Sequence, residues 1–343
     1  MSKLRFAAFG AGFWARFQLS AWREVPGAEC VALCDVDRSK AERLARELGI
    51  AGVHDDPERC LREVKPDFAD VITSRATHVP CVELAARHGI PVIVQKPMAD
   101  SVEQAEALVR SCREKRVPLF VHENWRWQAP IRALKRALDA RRIGTPFRAR
   151  IRMVSGFPVF KNQPYLKNER QFLIADMGIH LLDTARFLFG EAESLYCQMS
   201  RVHHDIQGED VAIVVLKSEG GVAVTCEMGF AENHLEVDRF PETFILVEGS
   251  SGSLELASDF WLRETTQDGT HARRCPPPRY AWADPSYDVV HASMVPCNEH
   301  LCRAIRGEAP GETTGEDNLR TLRLVFAAYE SAAGDRVVAL RRE

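Results

Sequence analysis

A short apolar run that leads directly into two closely spaced glycines is the feature that most constrains the fold of this chain. The run is Leu4–Phe9, and Gly10 and Gly12 follow it before a helical pattern begins. In a strand–turn–helix unit of this kind, the first glycine makes a tight turn and the second lets the backbone approach a pyrophosphate, which binds the N–H groups of the helix N-terminus. Ala15 takes the third position, where the pattern accepts glycine or alanine. The sequence therefore predicts an α/β fold that binds a dinucleotide.

Asp35 ends a second predicted strand, residues 30–34, about twenty residues beyond the glycines. A carboxylate at this place accepts hydrogen bonds from the ribose hydroxyls and repels a 2′-phosphate, so we expect NAD rather than NADP. Arg38 and Lys40 follow closely in the sequence and leave NADP open. In the alternative interpretation, Asp35 only begins the turn that comes next.

Composition limits the class of protein. The chain has 343 residues, of which 45% are hydrophobic, and a formal net charge of −3; this suits two domains and argues against a nucleic-acid partner. We find no apolar run long enough to span a bilayer and no secretory leader before the first strand, so we expect a cytoplasmic protein with a small-molecule ligand. The ten cysteines form no Cys-x-x-Cys pair, so we expect reduced core thiols and no metal site.

Helix and strand patterns alternate through the first third of the chain. Predicted helices cover residues 39–48, 80–88 and 101–115, and predicted strands cover 68–72, 92–94 and 118–121. This alternation is typical of a Rossmann fold, a doubly wound parallel sheet whose ligands bind beyond the carboxyl ends of the strands. The candidate cofactor contacts in these segments are Gly10, Gly12, Phe13, Trp14, Asp35, Thr73, His78, Gln95 and Lys96.

The pattern changes after about residue 145. Amphipathic strands are predicted at 147–154, 194–202, 211–217, 222–229, 243–248 and 253–257, and helices at 300–306 and 317–333. We therefore predict a Rossmann domain over residues 1–124 and an α+β domain over 125–343, with a large, mainly antiparallel sheet that is open on one face. An uncovered face of this kind is a natural surface for a homodimer or homotetramer.

Asp176 and His180 lie four residues apart in the sequence DMGIHLLD. On an α-helix this spacing places both side chains on one face, where a carboxylate and an imidazole can move a proton. The structural alternative is a helix N-cap and a buried, hydrogen-bonded histidine. Asp183 lies almost two turns further on, and we expect a structural role for it.

The glycine turn, the Gln-Lys-Pro sequence at 95–97 and the later helix over 176–183 occur in an order that resembles the Gfo/Idh/MocA oxidoreductase family over nearly the whole chain. In that family a Glu-Lys-Pro motif supplies the active-site lysine, and an Asp-x-Gly-x-His-x-x-Asp helix supplies the acid/base pair. The resemblance therefore implies catalytic roles for Lys96, Asp176 and His180, with NAD as the cofactor.

These roles agree with the chemistry of alcohol oxidation, which needs a hydride acceptor, a base for the hydroxyl proton and a cation near the developing alkoxide. NAD, His180 and Lys96 fill them, and Asp176 would orient a hydroxyl or the imidazole. The chain departs from the family at two places. Gln95 replaces the usual Glu before the lysine, and residues 73–75, Thr-Ser-Arg, stand where relatives carry Thr-Pro-Asn.

Polar side chains interleaved with indoles at residues 122–127 suit a hydroxylated ring, because polar groups bind hydroxyls and aromatic faces cover C–H edges. Trp127 would equally suit packing at a domain junction. His203 and His204 are expected to end a strand rather than bind a metal. The predicted substrate contacts are Lys96, Asn124, Trp125, Arg126, Phe157, Tyr165, Asn168, Asp176 and His180.

Several stretches, at residues 12–16, 95–98, 122–127 and 157–160, resemble the D-apiose dehydrogenase branch of that family. This resemblance implies oxidation of a branched furanose at its anomeric carbon to a lactone, with hydride passing to NAD. Three alternatives remain open. They are an inositol or another aldose as substrate, a non-redox reaction in which tightly held NAD is reduced and reoxidised, and an NAD-binding sensor without turnover.

Overall fold

The computed structural model describes residues 2–231, 240 and 242–340. The chain divides into two compact units. The first comprises residues 1–124, 280–284 and 291–320, and the second comprises 125–279, 285–290 and 321–343. The domain boundary after residue 124 stays a prediction.

Segments 280–284 and 291–320, which fall within the predicted second domain, cluster with the first unit. Hydrogen bonds account for part of this. The guanidinium of Arg306 donates to the carbonyl oxygens of Ser2 and Gly27 at 2.6 and 2.9 Å. Phe120 forms a β-bridge with Thr314. Such return segments have no signal in local periodicity, because their partners lie far away in the sequence.

A six-stranded parallel sheet with strand order β3-β2-β1-β4-β5-β6 forms the first unit. Its strands are β1 (Leu4–Phe9), β2 (Ala28–Cys34), β3 (Gly52–His54), β4 (Phe68–Val71), β5 (Val92–Gln95) and β6 (Leu119–His122). The helices between them are α1 (Phe13–Trp22), α2 (Arg38–Leu48), α3 (Pro57–Val64), α4 (His78–Arg87) and α5 (Val102–Glu114). The predicted doubly wound Rossmann sheet is confirmed, although β3 and α3 were not predicted.

Short polar residues cap the first turns of α2 and α5. The carboxylate of Asp37 accepts from the backbone N–H groups of Ser39 and Lys40 at the start of α2. The hydroxyl of Ser101 accepts from the N–H of Gln104 at the start of α5. Each cap satisfies a donor that the helix cannot bond internally. Gly49, with φ 72°, ends α2 in the left-handed region that favours glycine.

A nine-stranded mixed sheet forms most of the second unit. Its strand order is β14-β13-β12-β11-β7-β10-β9-β8-β15, and only the β7–β10 pair is parallel. The strands are β7 (Pro146–Ser155), β8 (Ala192–Ser200), β9 (Val211–Ser218), β10 (Ala223–Phe230), β11 (Phe244–Gly249), β12 (Gly252–Ala257), β13 (Trp261–Thr266), β14 (Gly269–Arg274) and β15 (Val338–Ala339). The remaining helices are α6 (Ala129–Asp139), α7 (Val159–Asn162), α8 (Ile179–Phe189), α9 (Asp288–Ile305) and α10 (Gly315–Gly334).

The two faces of this sheet differ in burial. Residues in register on neighbouring strands lie on the same face, so each face can be followed across the strands. On the covered face, one row across the central strands is fully apolar and buried. It runs through Val214, Cys226, Ile151, Ile245, Leu256 and Leu262. The adjacent row on the other face includes Val215, 44% exposed, and Leu246, 39% exposed. The predicted large, mainly antiparallel sheet is therefore present.

The elements of the second half differ from the prediction at two places, one helix that begins earlier than expected and one hairpin that was not predicted. A helix was expected only from residue 300, whereas α9 begins at Asp288 and contains Pro296. A proline normally interrupts a helix, but here the buried face that includes Val289, Met294 and Leu301 stabilises the longer helix. The β13–β14 hairpin was missed, because β14 is exposed throughout and shows no apolar alternation. Among the described residues, the helices are too short or too polar to cross a bilayer.

Candidate active site

The glycine turn between β1 and α1 is shaped to receive an anion. Gly10 has φ 103°, and a Cβ atom there would lie 2.4 Å from the carbonyl oxygen of Ile72, so only glycine fits. A Cβ atom at Gly12 would meet no atom within 4 Å. The helix begins at Phe13 without a side-chain cap. Open space in front of uncapped N–H groups fits a pyrophosphate, so the turn suits NAD.

Asp35 follows β2 and holds this turn in place. Its carboxylate accepts from the backbone N–H of Ala11 at 2.7 Å and from that of Asp37 at 2.8 Å. The residue is partly exposed, and each carboxylate oxygen has a further lone pair. Asp35 can therefore support the glycine turn and bind ribose hydroxyls at the same time.

Phe13 and Trp14, the two predicted cofactor contacts on α1, lie in a group of aromatic rings. Phe13 is 47% exposed and packs edge-on against Phe17 with ring centres 5.2 Å apart. Trp14 packs edge-on against His291 at 5.7 Å. The Trp14 contact therefore packs the first turn of α1 against α9.

His78 connects the ends of two strands. One ring nitrogen lies 2.8 Å from the carbonyl oxygen of Pro97, and the other lies 3.1 Å from that of Thr73. Burial lowers the pKa of His78, against the opposing effect of these two carbonyl groups. Thr73 is partly exposed at the end of β4. The structure thus places His78 as a tie between the segments after β4 and β5.

Lys96 follows β5 directly, in the segment that His78 holds. It is half-buried, and its backbone N–H donates to the side-chain oxygen of Gln95 at 3.3 Å. The Lys96–Pro97 peptide bond is cis. Because the carboxyl ends of parallel strands share one edge of the sheet, Lys96 and the glycine turn lie at the same edge.

Asp176 lies in a π-helical turn, Ile174–Gly178, and His180 lies in the first turn of α8. The prediction of one uninterrupted α-helix across both residues was wrong. A Cβ atom at Gly178 would lie 2.7 Å from the sulfur of Met228, so glycine lets the turn pack closely on β10. Turns of this type are rare and are frequent at functional sites. Asp176 is partly exposed and His180 is buried.

Two residues that the sequence did not single out satisfy the start of this turn. The carboxylate of Glu209 accepts from the backbone N–H of Ile174 at 2.9 Å and from the hydroxyl of Tyr329 at 2.7 Å. That hydroxyl accepts from the N–H of Ala175 at 3.1 Å. Both side chains are buried. The glutamate and the tyrosine therefore fix the backbone that carries Asp176.

Trp125 stacks on His180. The rings are 4.5 Å apart and inclined by 14°, and the indole N–H donates to the hydroxyl of Thr243 at 3.1 Å. Trp125 is 1% exposed. The structure thus gives this tryptophan a definite contact with the imidazole, and contact with a sugar stays a prediction.

Arg126 forms an ion pair with Asp183, which lies in the same unit. Two guanidinium nitrogens donate to the two carboxylate oxygens at 2.7 and 2.5 Å, and both side chains are buried. A bidentate pair of this kind fixes the position of α8 relative to residues 125–127. It agrees with the expected structural role of Asp183.

The remaining predicted substrate contacts have varied surroundings. Asn124 is buried and donates to the hydroxyl of Ser293 at 2.9 Å. Phe157 stacks on Phe240 with ring centres 4.5 Å apart. Tyr165 is 59% exposed, and Asn168 is also exposed.

His203 forms an ion-pair contact of 2.5 Å with the buried carboxylate of Asp210. That carboxylate also accepts from the backbone N–H groups of Val202 and His203 at 2.7 and 2.8 Å. Within the described part of the chain, no group of three or more His, Cys, Asp or Glu side chains is arranged to hold a metal ion.

Comparison with known proteins identifies the family of this chain. Residues 4–123 match the family described as "Oxidoreductase family, NAD-binding Rossmann fold", and residues 131–255 match the "GFO/IDH/MocA C-terminal domain". The chain is 40% identical to D-apiose dehydrogenase of Paraburkholderia graminis over 341 residues, which cover 99% of this chain and 91% of that protein. It is 38% identical to D-apiose dehydrogenase of Rhizobium rhizogenes, covering 98% of each.

A solved oxidoreductase from Agrobacterium radiobacter, in complex with NAD+, L-tartaric acid and magnesium, superposes with a TM-score of 0.96. It is 38% identical and covers 98% of each chain. The fold, the glycine turn and these matches lead to one conclusion. The chain belongs to the Gfo/Idh/MocA family of NAD-binding oxidoreductases.

Proposed function

We propose that this protein oxidises D-apiose at its anomeric carbon to the lactone. The observation that carries the proposal is the 40% identity to a D-apiose dehydrogenase over 99% of this chain. Lys96, Asp176 and His180 stand at the positions where the family motifs place the catalytic lysine and the acid/base pair. NAD, when bound, supplies the hydride acceptor.

In the proposed reaction, the C1–H bond breaks with its electron pair, and the hydroxyl on C1 loses its proton to His180. The products are a lactone, reduced cofactor and one proton. The ammonium group of Lys96 stabilises the negative charge that develops on the sugar oxygen. Asp176 orients the hydroxyl or the imidazole, from a turn that Glu209 and Tyr329 hold rigid.

The stacking of Trp125 supports the role of His180 as the base. A parallel indole 4.5 Å away restricts rotation of the imidazole. The face of an indole also attracts a cation, so the stack favours the imidazolium that forms when His180 takes the proton. Both effects lower the barrier to proton transfer.

The decisive experiment is to measure NADH formation by absorbance with purified protein, NAD and a panel of sugars that includes D-apiose, other aldoses and inositols. We expect the highest kcat/KM with D-apiose. Lys96→Met should lower kcat about a hundredfold or more, whereas Lys115→Met, a change at an exposed lysine that bonds Ser111, should not. Equal turnover of the two variants would contradict the role of Lys96.

The same panel separates the alternatives. A scyllo-inositol 2-dehydrogenase of Bacillus subtilis is 32% identical over 48% of this chain, which makes an inositol the second candidate substrate. A higher kcat/KM with an inositol would replace D-apiose in the proposal. Product formation without net release of NADH would indicate that bound NAD is reduced and reoxidised within each turnover.

We also assign the residues that bind the ligands. Gly10 and Gly12 bind the pyrophosphate of NAD through the turn, and the carboxylate of Asp35 binds its ribose hydroxyls, which the geometry of the turn supports. The further cofactor contacts in the proposal are Phe13, Trp14, Thr73, His78 and Gln95. The further substrate contacts are Asn124, Trp125, Arg126, Phe157, Tyr165 and Asn168.

The exposed face of the large sheet is proposed to bind a second copy of the chain. Ile213 and Val215 are 46% and 44% exposed at alternate positions of one strand, so they share a face. On this face Arg150 pairs with Glu227 at 2.6 Å, which reduces the charge that association would bury. Sedimentation should show a dimer or tetramer that Ile213→Asp weakens, and a monomeric parent protein would contradict this.

The ten cysteines are free, and most of them are buried. Free thiols in this number suit a reducing compartment, so we propose that the protein works in the cytoplasm. Fractionation of cells that express it would test this.

A further inference from the structure

Asp70 places a carboxylate inside a buried parallel strand. All four residues of β4 are buried, and Asp70 is fully so. A carboxylate in such a place requires hydrogen-bond donors. The indole of Trp22 donates at 2.8 Å, and the side-chain amide of Gln18 lies 2.9 and 3.0 Å from the two carboxylate oxygens.

The carboxylate determines which way the Gln18 amide points. An ionised carboxylate only accepts hydrogen bonds, so Gln18 turns its NH2 group toward Asp70 and its carbonyl oxygen away. That oxygen accepts from the side-chain amide of Gln95 at 2.5 Å. Gln95 therefore turns its own NH2 group toward Gln18 and its oxygen in the opposite direction.

The chain of hydrogen bonds then divides. The second N–H of the Gln95 side chain goes to Nδ1 of His122 at 3.2 Å, so the imidazole proton lies on Nε2, which donates to Asn298 at 2.9 Å. The oxygen of Gln95 accepts from the backbone N–H of Lys96 at 3.3 Å. One carboxylate thus sets the direction of two amides and one imidazole.

We infer that Asp70 is a positioning residue that fixes the direction of this buried chain and thereby the backbone of Lys96. If Gln95 were reversed, its NH2 group would face the N–H of Lys96, donor against donor. The Lys96 peptide would have to turn, and its ammonium group would move with it. The inference rests on the proposed function, because it needs Lys96 to act in the reaction.

The test is to reverse the direction of donation along the hydrogen bonds that join residues 70, 18 and 95. In Asp70→Asn, the new amide can donate to Gln18, so Gln18 and Gln95 lose their fixed direction. In Gln95→Glu, a carboxylate faces the carbonyl oxygen of Gln18, acceptor against acceptor. In the double variant, the amide at 70 donates to Gln18, and Gln18 donates to the carboxylate at 95. That carboxylate again accepts from the N–H of Lys96.

We therefore expect each single variant to lower kcat about tenfold with smaller changes in KM, and the double variant to recover to within about threefold of the parent protein. Measurements in mildly alkaline buffer keep the carboxylate of Asp70 ionised. Asp67→Asn is the matched control, because Asp67 is exposed three positions earlier and its carboxylate accepts from the N–H of Arg5 at 2.7 Å. A double variant no better than the product of the two single effects would overturn the inference.

A second measurement does not depend on turnover. Selective 15N labelling of histidine should show the His122 proton on Nε2 in the parent protein and a mixed or reversed signal in Asp70→Asn and in the double variant. An unchanged His122 signal in every variant would also overturn the inference. Should Asp70→Asn not fold, Gln18→Met removes the hydrogen bonds between Asp70 and Gln95. It should likewise lower kcat and change the His122 signal.

The two proposals can fail separately. If the parent protein reduces no NAD with any sugar, the proposed function fails, while the His122 signal still reports whether Asp70 directs the chain. If the parent protein is active and the single variants match it, only the positioning role fails.

Discussion

Asp70 and Asp183 are both fully buried aspartates, but the two units surround them in different ways. Asp70 accepts hydrogen bonds from neutral groups, the indole of Trp22 and the amide of Gln18. Asp183 accepts a bidentate pair from the guanidinium of Arg126. One carboxylate is therefore held by dipoles, and the other is held by a full positive charge.

This difference has a direct consequence for titration. Burial raises the pKa of Asp70 to about 7, and its hydrogen bonds from Trp22 and Gln18 offset only part of that effect. A carboxylate with a guanidinium 2.5 Å away belongs to an ion pair whose separation would leave a buried charge. The Asp70 site can therefore respond to pH. The Asp183 pair holds α8 in position relative to residues 125–127.

The largest effect is expected from breaking the ion pair. Asp183→Asn leaves the guanidinium of Arg126 buried without its anion, so the free energy of unfolding should fall by about 3–5 kcal/mol. Urea unfolding measures this. The control is Asp205→Asn, at an exposed pair with Lys167 of 2.5 Å, where the loss should be much smaller because solvent screens the pair. Equal losses in the two variants would show that the buried pair is no more important than a surface one.

The second prediction concerns the pH dependence of stability at Asp70. The folded-state pKa of about 7 lies above the ordinary value of 3.8, so the folded protein binds more protons than the unfolded chain between these values. Its contribution to stability is therefore greatest below the ordinary pKa, falls as pH rises toward about 7 and is constant above it. Burial raises the pKa of the neighbouring Cys30 thiol, which stays protonated across this range.

Relative to Asp70→Asn, the parent protein should lose about 2–4 kcal/mol of stability as pH rises through this interval. Urea unfolding of both proteins at a series of pH values checks this. Asp67→Asn is the control and should follow the parent curve, because Asp67 is exposed and the Asp70 carboxylate is unchanged in this variant. Parallel curves for the parent and Asp70→Asn would show that Asp70 has an ordinary pKa.

Asp35 and Asp70 differ in how far the sequence predicts their roles. The strand–glycine–helix unit and Asp35 were predictable, because their residues lie close together and follow a period. The series of hydrogen bonds that begins at Asp70 was not predictable, because it joins α1, β4, β5 and β6 through residues up to 77 positions apart. A charged residue within the apolar strand Phe68–Val71 was the one local signal.

The candidate site in the second unit was also only partly predictable from the sequence. The Asp176 and His180 motif was visible in the sequence, but the π-helical turn was not, because it depends on Glu209 and Tyr329, which are 35 and 154 positions from the backbone groups they bond. The β13–β14 hairpin escaped for another reason, since an exposed strand has no apolar period. Local patterns therefore predict the elements, and distant polar contacts determine their details.

Asp35 extends the comparison to a partly exposed carboxylate that accepts from the backbone N–H groups of Ala11 and Asp37. Asp35→Ala should raise KM for NAD about tenfold or more, because charged hydrogen bonds to the ribose are lost. Discrimination against NADP should weaken as well. Steady-state kinetics with both cofactors measures this, with Asp37→Ala, which removes the cap of α2 and leaves the Asp35 carboxylate in place, as control. An unchanged ratio of kcat/KM for the two cofactors would contradict the ribose role.

The smallest effect is expected at Tyr329, where a buried carboxylate is again held by neutral donors. Burial and the charge of Glu209 raise the pKa of Tyr329, so its hydroxyl stays protonated and donates to that carboxylate. Tyr329→Phe removes this donor and leaves the N–H of Ala175 without its acceptor. The free energy of unfolding should fall by about 1–2 kcal/mol, and kcat should fall about threefold because the turn that carries Asp176 loosens.

Tyr196→Phe provides the matched control for that change. The Tyr196 hydroxyl bonds Asp335 at 2.5 Å near the protein surface, away from the π-helical turn. Its loss should leave kcat unchanged and lower stability less than Tyr329→Phe does, because the Tyr196 hydroxyl is exposed to solvent. If both variants lower kcat equally, the hydroxyl of Tyr329 does not position Asp176. If only Tyr329→Phe lowers kcat while KM is unchanged, neutral donors around a buried carboxylate position a catalytic element in the second unit, as we infer for Asp70 in the first.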